Sequence, residues 1–303
     1  MNHLVSGLAP ILATPFDASG ALDLDGLRRV VEFNLASGVD GVAVSGMASE
    51  AFALTADERD QILRAVVEVV AGAVPVVAGV NATSTLTAIE QAHAAVDGGA
   101  DALMVLPPYM VKPTPAQVVD FYGEVARGIG AEVMVQDAPG VTGVAMAPGA
   151  LAELSRLPGI TSVKVEAPPT ALKVTSVVEA VDDASFAVLG GQNAQYCLEE
   201  YARGAVGTMP ACEFPDLLRP VLDAFTNGQR AEARAAFTAL LPLVLYGLQQ
   251  GPAWAVHKEV LVARGLIEHA TVRSPARPLD EPTRKGLAEI LHGLGGLGPT
   301  PRT

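Results

Sequence analysis

The chain has only five lysines, Lys112, Lys164, Lys173, Lys258 and Lys285, and one of them interrupts an apolar run. In Ile160-Thr-Ser-Val-Lys-Val-Glu166, side chains two apart on a strand share a face, so Lys164 and Glu166 point the same way, which we infer to be inward. A lysine inside an apolar barrel is costly unless it is paired or neutral. Two readings stand side by side. One is a structural Lys–Glu ion pair, or a lysine that snorkels past the strand end. The other is an amine kept partly neutral by desolvation, which attacks a carbonyl to form an imine while Glu166 moves the proton. A carboxylate beside an amine favours the non-nucleophilic ammonium, so the second reading needs a protonated Glu166 or one held a few ångströms away.

Other apolar runs end in residues of chemical interest: Thr14-Pro15-Phe16, Pro107-Pro-Tyr109, Gln136-Asp-Ala-Pro139, Gly190-Gly191-Gln192 and Gly207-Thr-Met-Pro210. The segment Gly46-Met-Ala-Ser-Glu50 suits bare amides facing an anion such as a carboxylate, or simply a tight loop without a ligand. Tyr109 closes a site or packs, Asp137 caps or hydrogen-bonds the following turn, and Trp254 packs in a helix. The five histidines are scattered without metal spacing and read as surface or packing residues. Cys197 and Cys212 form no C-x-x-C pair, which points to buried apolar roles in a reducing compartment.

Eight short runs rich in Val, Ile, Leu and Ala would have to position these groups: Ala9–Pro15, Gly41–Ser45, Val74–Val80, Ala102–Leu106, Glu132–Gln136, Thr161–Glu166, Ser185–Gly190 and Ala205–Met209. Near-continuous apolar runs are typical of parallel strands covered on both faces. Amphipathic stretches separate them, the pattern of a closed barrel or of a large doubly wound sheet; in a barrel the reactive groups sit at the C-terminal strand ends. Thr55-Ala-Asp-Glu58 and Thr114-Pro-Ala-Gln117 are capping boxes that mark helix starts. After Phe225 the strands stop, and Arg230–Leu248, Pro252–Arg264 and Glu281–Leu294 read as helices. The expected organisation is a barrel over residues 1–224 and a helical extension over 225–303 packed on it, with a frayed tail at Gly295–Thr303. A net charge of −13 argues against nucleic-acid or anionic-membrane partners. Met1–Ala9 has no basic start or apolar block, and no long uncharged run follows, so a soluble cytoplasmic protein is expected.

Taken in order, Thr14-Pro15-Phe16, Ser49-Glu50 ahead of Leu54-Thr55-x-x-Glu58-Arg59, Pro107-Pro108-Tyr109, Lys164 and Gly207 resemble the dihydrodipicolinate synthase and N-acetylneuraminate lyase family. The resemblance runs from about Leu4 to the final helix. It implies a (β/α)₈ barrel with added C-terminal helices, Lys164 as a Schiff-base lysine, and a small-molecule 2-oxo acid substrate. The substrate carboxylate would lie against the Ala48–Ser49 amides, and Thr14, Tyr109, Gly191 and Met209 would shape the pocket. No metal or organic cofactor is implied, and members are usually homodimers or homotetramers.

The departures from the pattern are informative. Met47 and Ala48 replace two threonines, Met110 replaces a tyrosine, Gln136 stands where the proton-moving tyrosine would be, and Val141 where an arginine holds the second substrate. Gln-Asp-Ala-Pro, Lys-x-Glu and Gly-Thr-Met-Pro together are similar to a smaller subgroup, that of 2-keto-3-deoxyarabonate dehydratase. That likeness implies that Gln136 and Glu166 take over the proton work. The expected activity is dehydration of a 2-keto-3-deoxy sugar acid. Aldol cleavage to pyruvate and an aldehyde, deamination of a hydroxypyrroline carboxylate, and an inactive barrel that only binds a 2-oxo acid or serves as a structural subunit are the alternatives.

Overall fold

The computed structural model describes residues 3–297; the last six residues of the tail expected to fray lie outside them. Eight parallel strands form one sheet: β1 (Gly7–Leu8), β2 (Val42–Val44), β3 (Val76–Val80), β4 (Ala102–Val105), β5 (Glu132–Asp137), β6 (Ile160–Val165), β7 (Ala187–Gly190) and β8 (Gly207–Thr208). The order is β1-β8-β7-β6-β5-β4-β3-β2. Just beyond β1, Ile11 bridges to Ala43 on one side and Ala211 on the other, which joins the sheet's two edges into a barrel. The first strand lies before the expected Ala9–Pro15: it ends at Leu8, and beyond Pro10, which has no N–H to give a ladder, only the isolated bridges of Ile11 follow.

Two apolar layers follow from strand alternation. Small residues and methionines, including Ala9, Ala43, Ala102, Met104, Met134, Ala187 and Met209, fill the inside. The alternate valines, among them Val133, Val135, Val163 and Val165, pack outward against the helices. Between β5 and β6 the register slips: Ile160 pairs with Val133, but Ser162 pairs with Met134. Thr161 is thus an extra residue, a bulge that reverses which face the rest of β6 presents. Ile160 packs outward with Val133, whereas Lys164 comes into register with Gln136 on the inner face.

Both capping boxes form. Thr55 accepts from the Glu58 amide and starts helix Ala56–Val70; Thr114 accepts from the Gln117 amide and starts Pro115–Ala126. The three late helices span Arg230–Tyr246, Ala253–Ala263 and Glu281–Gly293. The middle one carries the completely buried Lys258, which pairs with Glu50 and donates to the Thr271 carbonyl at 2.7 Å. The rings and charges stack: Lys258 and Arg273 lie 4.0 and 4.1 Å from the Phe16 ring centroid. Arg273 also pairs with Glu58 at 2.7 Å, which holds that carboxyl down at about 2. Burial pulls Lys258 down to about 8 against the attraction of Glu50. This network ties the loop ending at Glu50 to the C-terminal helices.

Candidate active site

Lys164 and Glu166 both line a cavity of 360 Å³ at the C-terminal ends of the strands. Lys164 Nζ is 3.4 Å from Glu166 Oε1, and the lysine side chain is almost wholly buried. The neighbouring strand supplies Gln136, whose Nε2 donates to Glu166 Oε2 at 2.7 Å. The Gln192 amide approaches Glu166 Oε1 at 3.4 Å, and Gln192 Nε2 donates to the Glu166 backbone carbonyl at 3.1 Å. An amine, a carboxylate and a fixed amide thus stand in a row, with the carboxylate central. Such a row can pass a proton between the amine and a molecule bound beside it.

Gly191 belongs to this arrangement by what it lacks. A Cβ there would fall 2.4 Å from Glu166 Cγ, so the carboxylate occupies the space a side chain would take. Gly191→Ala is therefore expected to displace Glu166 and lower turnover about 100-fold or more. Circular dichroism should stay that of the parent, because the clash is with one side chain. Unchanged turnover would show that the placement of Glu166 does not matter.

The loop Gly46–Glu50 is braced from both sides. Ser49 Oγ donates to the Leu12 carbonyl at 2.6 Å, Thr14 Oγ1 donates to the Ser49 carbonyl at 2.7 Å, and Trp254 Nε1 donates to the Met47 carbonyl at 2.7 Å. The Ser49 amide is spent on the Gly46 carbonyl at 3.2 Å. Among the described residues the Ala48 amide has no protein partner, and Ala48 lines the cavity with Met209. Four positions expected to touch substrate do not line it. The Thr14 and Ser49 hydroxyls are consumed by the loop, Gly191 makes room for Glu166, and Tyr109 sits outside with its carbonyl taken by Lys112. Gln136 reaches the cavity only through Glu166.

Asp137, next to Gln136 on β5, faces outward by strand alternation. It pairs with Lys173 at 3.0 Å, and among the described residues its side chain makes no hydrogen bond to the turn that follows. Burial pushes its carboxyl upward against the pull of Lys173. Behind Gly190 lies Glu200, fully buried; Glu200 Oε2 would be 1.9 Å from a Cβ on that glycine. Burial lifts Glu200 to about 7; the Thr170 hydroxyl opposes this and the Glu166 charge adds to it. A native carboxyl above its ordinary 4.5 binds protons that the unfolded chain has released, so this group's stabilising contribution is present below about pH 4.5 and is lost as pH rises to about 7. Glu200→Gln is expected to gain about 3 kcal/mol on the wild type between pH 5 and pH 8. Urea melts at the two pH values check this, and a constant difference would refute it.

Sequence reasoning missed much of the cavity lining, Trp254 and His257 included. Trp254, read as packing, lines the wall, as does His257, read with the other histidines as surface or packing. Neither has a local signal: both come from a helix far along the chain. Among the described residues no group of three His, Cys, Asp or Glu is placed to hold a metal, and no helix is long and apolar enough to cross a membrane.

A sequence model of the dihydrodipicolinate synthetase family matches residues 4–294. The chain is similar to L-2-keto-3-deoxyarabonate dehydratase of Azospirillum brasilense, 33% identical over 295 residues, covering 96% of this chain and 95% of that one. It is also similar to a 4-hydroxy-tetrahydrodipicolinate synthase of Pseudomonas aeruginosa, 32% identical over 293 residues, covering 94% and 98%. Among solved structures, dihydrodipicolinate synthase from Rhodopseudomonas palustris superposes with a TM-score of 0.89 at 28% identity, covering 95% and 97%. A prophage protein of the same family from E. coli K12, solved in complex with pyruvate, gives 0.89 at 28%, covering 97% and 99%. The chain belongs to the dihydrodipicolinate synthetase family, Schiff-base lyases built on the (β/α)₈ barrel.

Proposed function

We propose that the protein dehydrates a 2-keto-3-deoxy sugar acid through an imine on Lys164. The observation that carries this reading is Glu166, held 3.4 Å from Lys164 and 2.7 Å from Gln136. A carboxylate locked at the reacting amine suits removal of a proton from the carbon next to the imine. The likeness to the Azospirillum brasilense dehydratase and the bound pyruvate of the E. coli relative agree with it.

The Lys164 ammonium gives a proton to Glu166 and the amine attacks C2 of the 2-oxo acid; the carbinolamine hydroxyl takes that proton back from Glu166 and leaves as water, so that a protonated imine and a free carboxylate result. The imine makes the C3 hydrogens acidic, and Glu166 removes one. The electron pair enters the enamine and expels the C4 hydroxyl, which takes the proton back from Glu166 and departs as water. Tautomerisation and hydrolysis then return the free lysine and the product. The Ala48 amide holds the C1 carboxylate. With L-2-keto-3-deoxyarabonate the product is 2-oxoglutarate semialdehyde.

The test is product analysis after incubation with the D- and L-2-keto-3-deoxypentonates. Loss of one water to the semialdehyde is the expected result. Release of pyruvate with a two-carbon aldehyde would overturn dehydration in favour of aldol cleavage.

A further inference from the structure

We propose that His257 is a substrate-binding residue that reads the hydroxylated chain beyond the imine carbon, its imidazole set by Glu213. The inference rests on the imine reading above and adds how the far end of the substrate is recognised. His257 is 4% exposed on the helix Ala253–Ala263, and it forms part of the cavity wall. Its Nδ1 lies 2.7 Å from Glu213 Oε1. Glu213 is completely buried, and its Oε2 has no hydrogen-bond partner among the described residues. Nδ1 therefore donates to the carboxylate, and that bond fixes the ring. Nε2 has no protein partner among the described residues and is left to the cavity.

The side chains of Asn193 and Trp254 in the same wall are already hydrogen-bonded within the protein. Asn193 accepts from the Ala211 amide at 2.9 Å and donates to the Val244 carbonyl at 3.0 Å. The Trp254 indole is held by the Met47 carbonyl. Gly247 lets the chain pass flush against the ring, since a Cβ there would meet His257 Cε1 at 2.7 Å. The titratable side chains lining the cavity are Lys164, Glu166 and His257, and only His257 is outside the proposed proton row.

The charge of this wall selects the ligand. The His–Glu pair is neutral when the imidazole is protonated and negative when it is not, so it offers no net attraction to a second carboxylate. Val141, which also lines the cavity, supplies no cation there. A hydroxyl can give or take a hydrogen bond and suits either state of the ring. The ligand class is thus a monocarboxylic 2-oxo acid with a hydroxylated, uncharged tail.

The experiment is borohydride trapping, read by intact mass, as a function of the concentration of pyruvate or of 2-keto-3-deoxy-L-arabonate. His257→Asn keeps an N–H toward Glu213 and removes Nε2. It is expected to raise the half-saturating concentration of the sugar acid about 10- to 100-fold and leave that of pyruvate within about twofold. His257→Gln, whose amide reaches toward the Nε2 position, is expected to bind the sugar acid more tightly than His257→Asn does. Equal shifts for both ligands, no shift for either, or a His257→Gln variant no better than His257→Asn would overturn the proposal alone. Wild-type protein that forms no pyruvate adduct would overturn the imine reading and this inference with it.

Discussion

Lys164→Ala is expected to abolish the borohydride-trapped pyruvate adduct and to lower turnover about 10⁴-fold or more, as loss of a covalent nucleophile does. The prediction is sharp because the chain offers decoys. Lys173 and Lys258 are also largely buried, and burial alone does not distinguish them from Lys164. Their surroundings do. Lys258 is closed in by Glu50, the Thr271 carbonyl and the Phe16 ring, and it does not line the cavity. Lys173 is held by Asp137 and the Met146 carbonyl on the outside of the barrel. Lys164 alone of the three opens on the cavity, with one carboxylate beside it. Peptide mapping should therefore place the adduct on Lys164. An adduct that survives Lys164→Ala, or maps to Lys258, would remove the imine from this site. Lys258→Met is the complementary control: it leaves a buried Glu50 unpaired, so it should cost about 3–5 kcal/mol of stability without erasing the adduct from folded protein.

How far this site was legible depends on whether its parts are neighbours in sequence or only in space. Lys164 and Glu166 are two residues apart on a strand, and strand geometry alone puts them on one face. Gln136 was legible as the residue ending an adjacent run. The capping boxes at Thr55 and Thr114 are local chemistry and form as written. The bulge at Thr161 had no signature, yet it sets the register that brings Lys164 opposite Gln136. The first strand sits before its expected run because the apolar character of Ala9–Pro15 hides the effect of Pro10. Thr14 and Ser49 show a related limit: a hydroxyl at a strand end can face a ligand or brace a loop, and only the fold reveals the carbonyls of Leu12 and Ser49 to which they donate. His257 and Glu213 lie 44 residues apart and meet only when the late helix docks on the barrel. No pattern along the chain encodes that meeting.

Glu166→Gln separates carbonyl capture from the chemistry that follows it. Glutamine keeps the length of the side chain and can still meet Gln136 and the Gln192 amide, but it cannot accept a proton. Turnover is expected to fall about 10²- to 10⁴-fold, the usual worth of a positioned acid–base group. The trapped pyruvate adduct should still form, because the amine remains in place. Gln136→Ala takes away only the 2.7 Å bond that orients the carboxylate, so its expected cost is smaller, about tenfold. The two effects should not add. Once residue 166 cannot move a proton, orienting it gains little, and Gln136→Ala in the Glu166→Gln background should lose less than about threefold. Additive losses would mean that Gln136 acts on the substrate by itself. Full turnover in both single variants would remove the pair from the mechanism and leave the Lys164–Glu166 contact as the structural ion pair that its burial alone allowed.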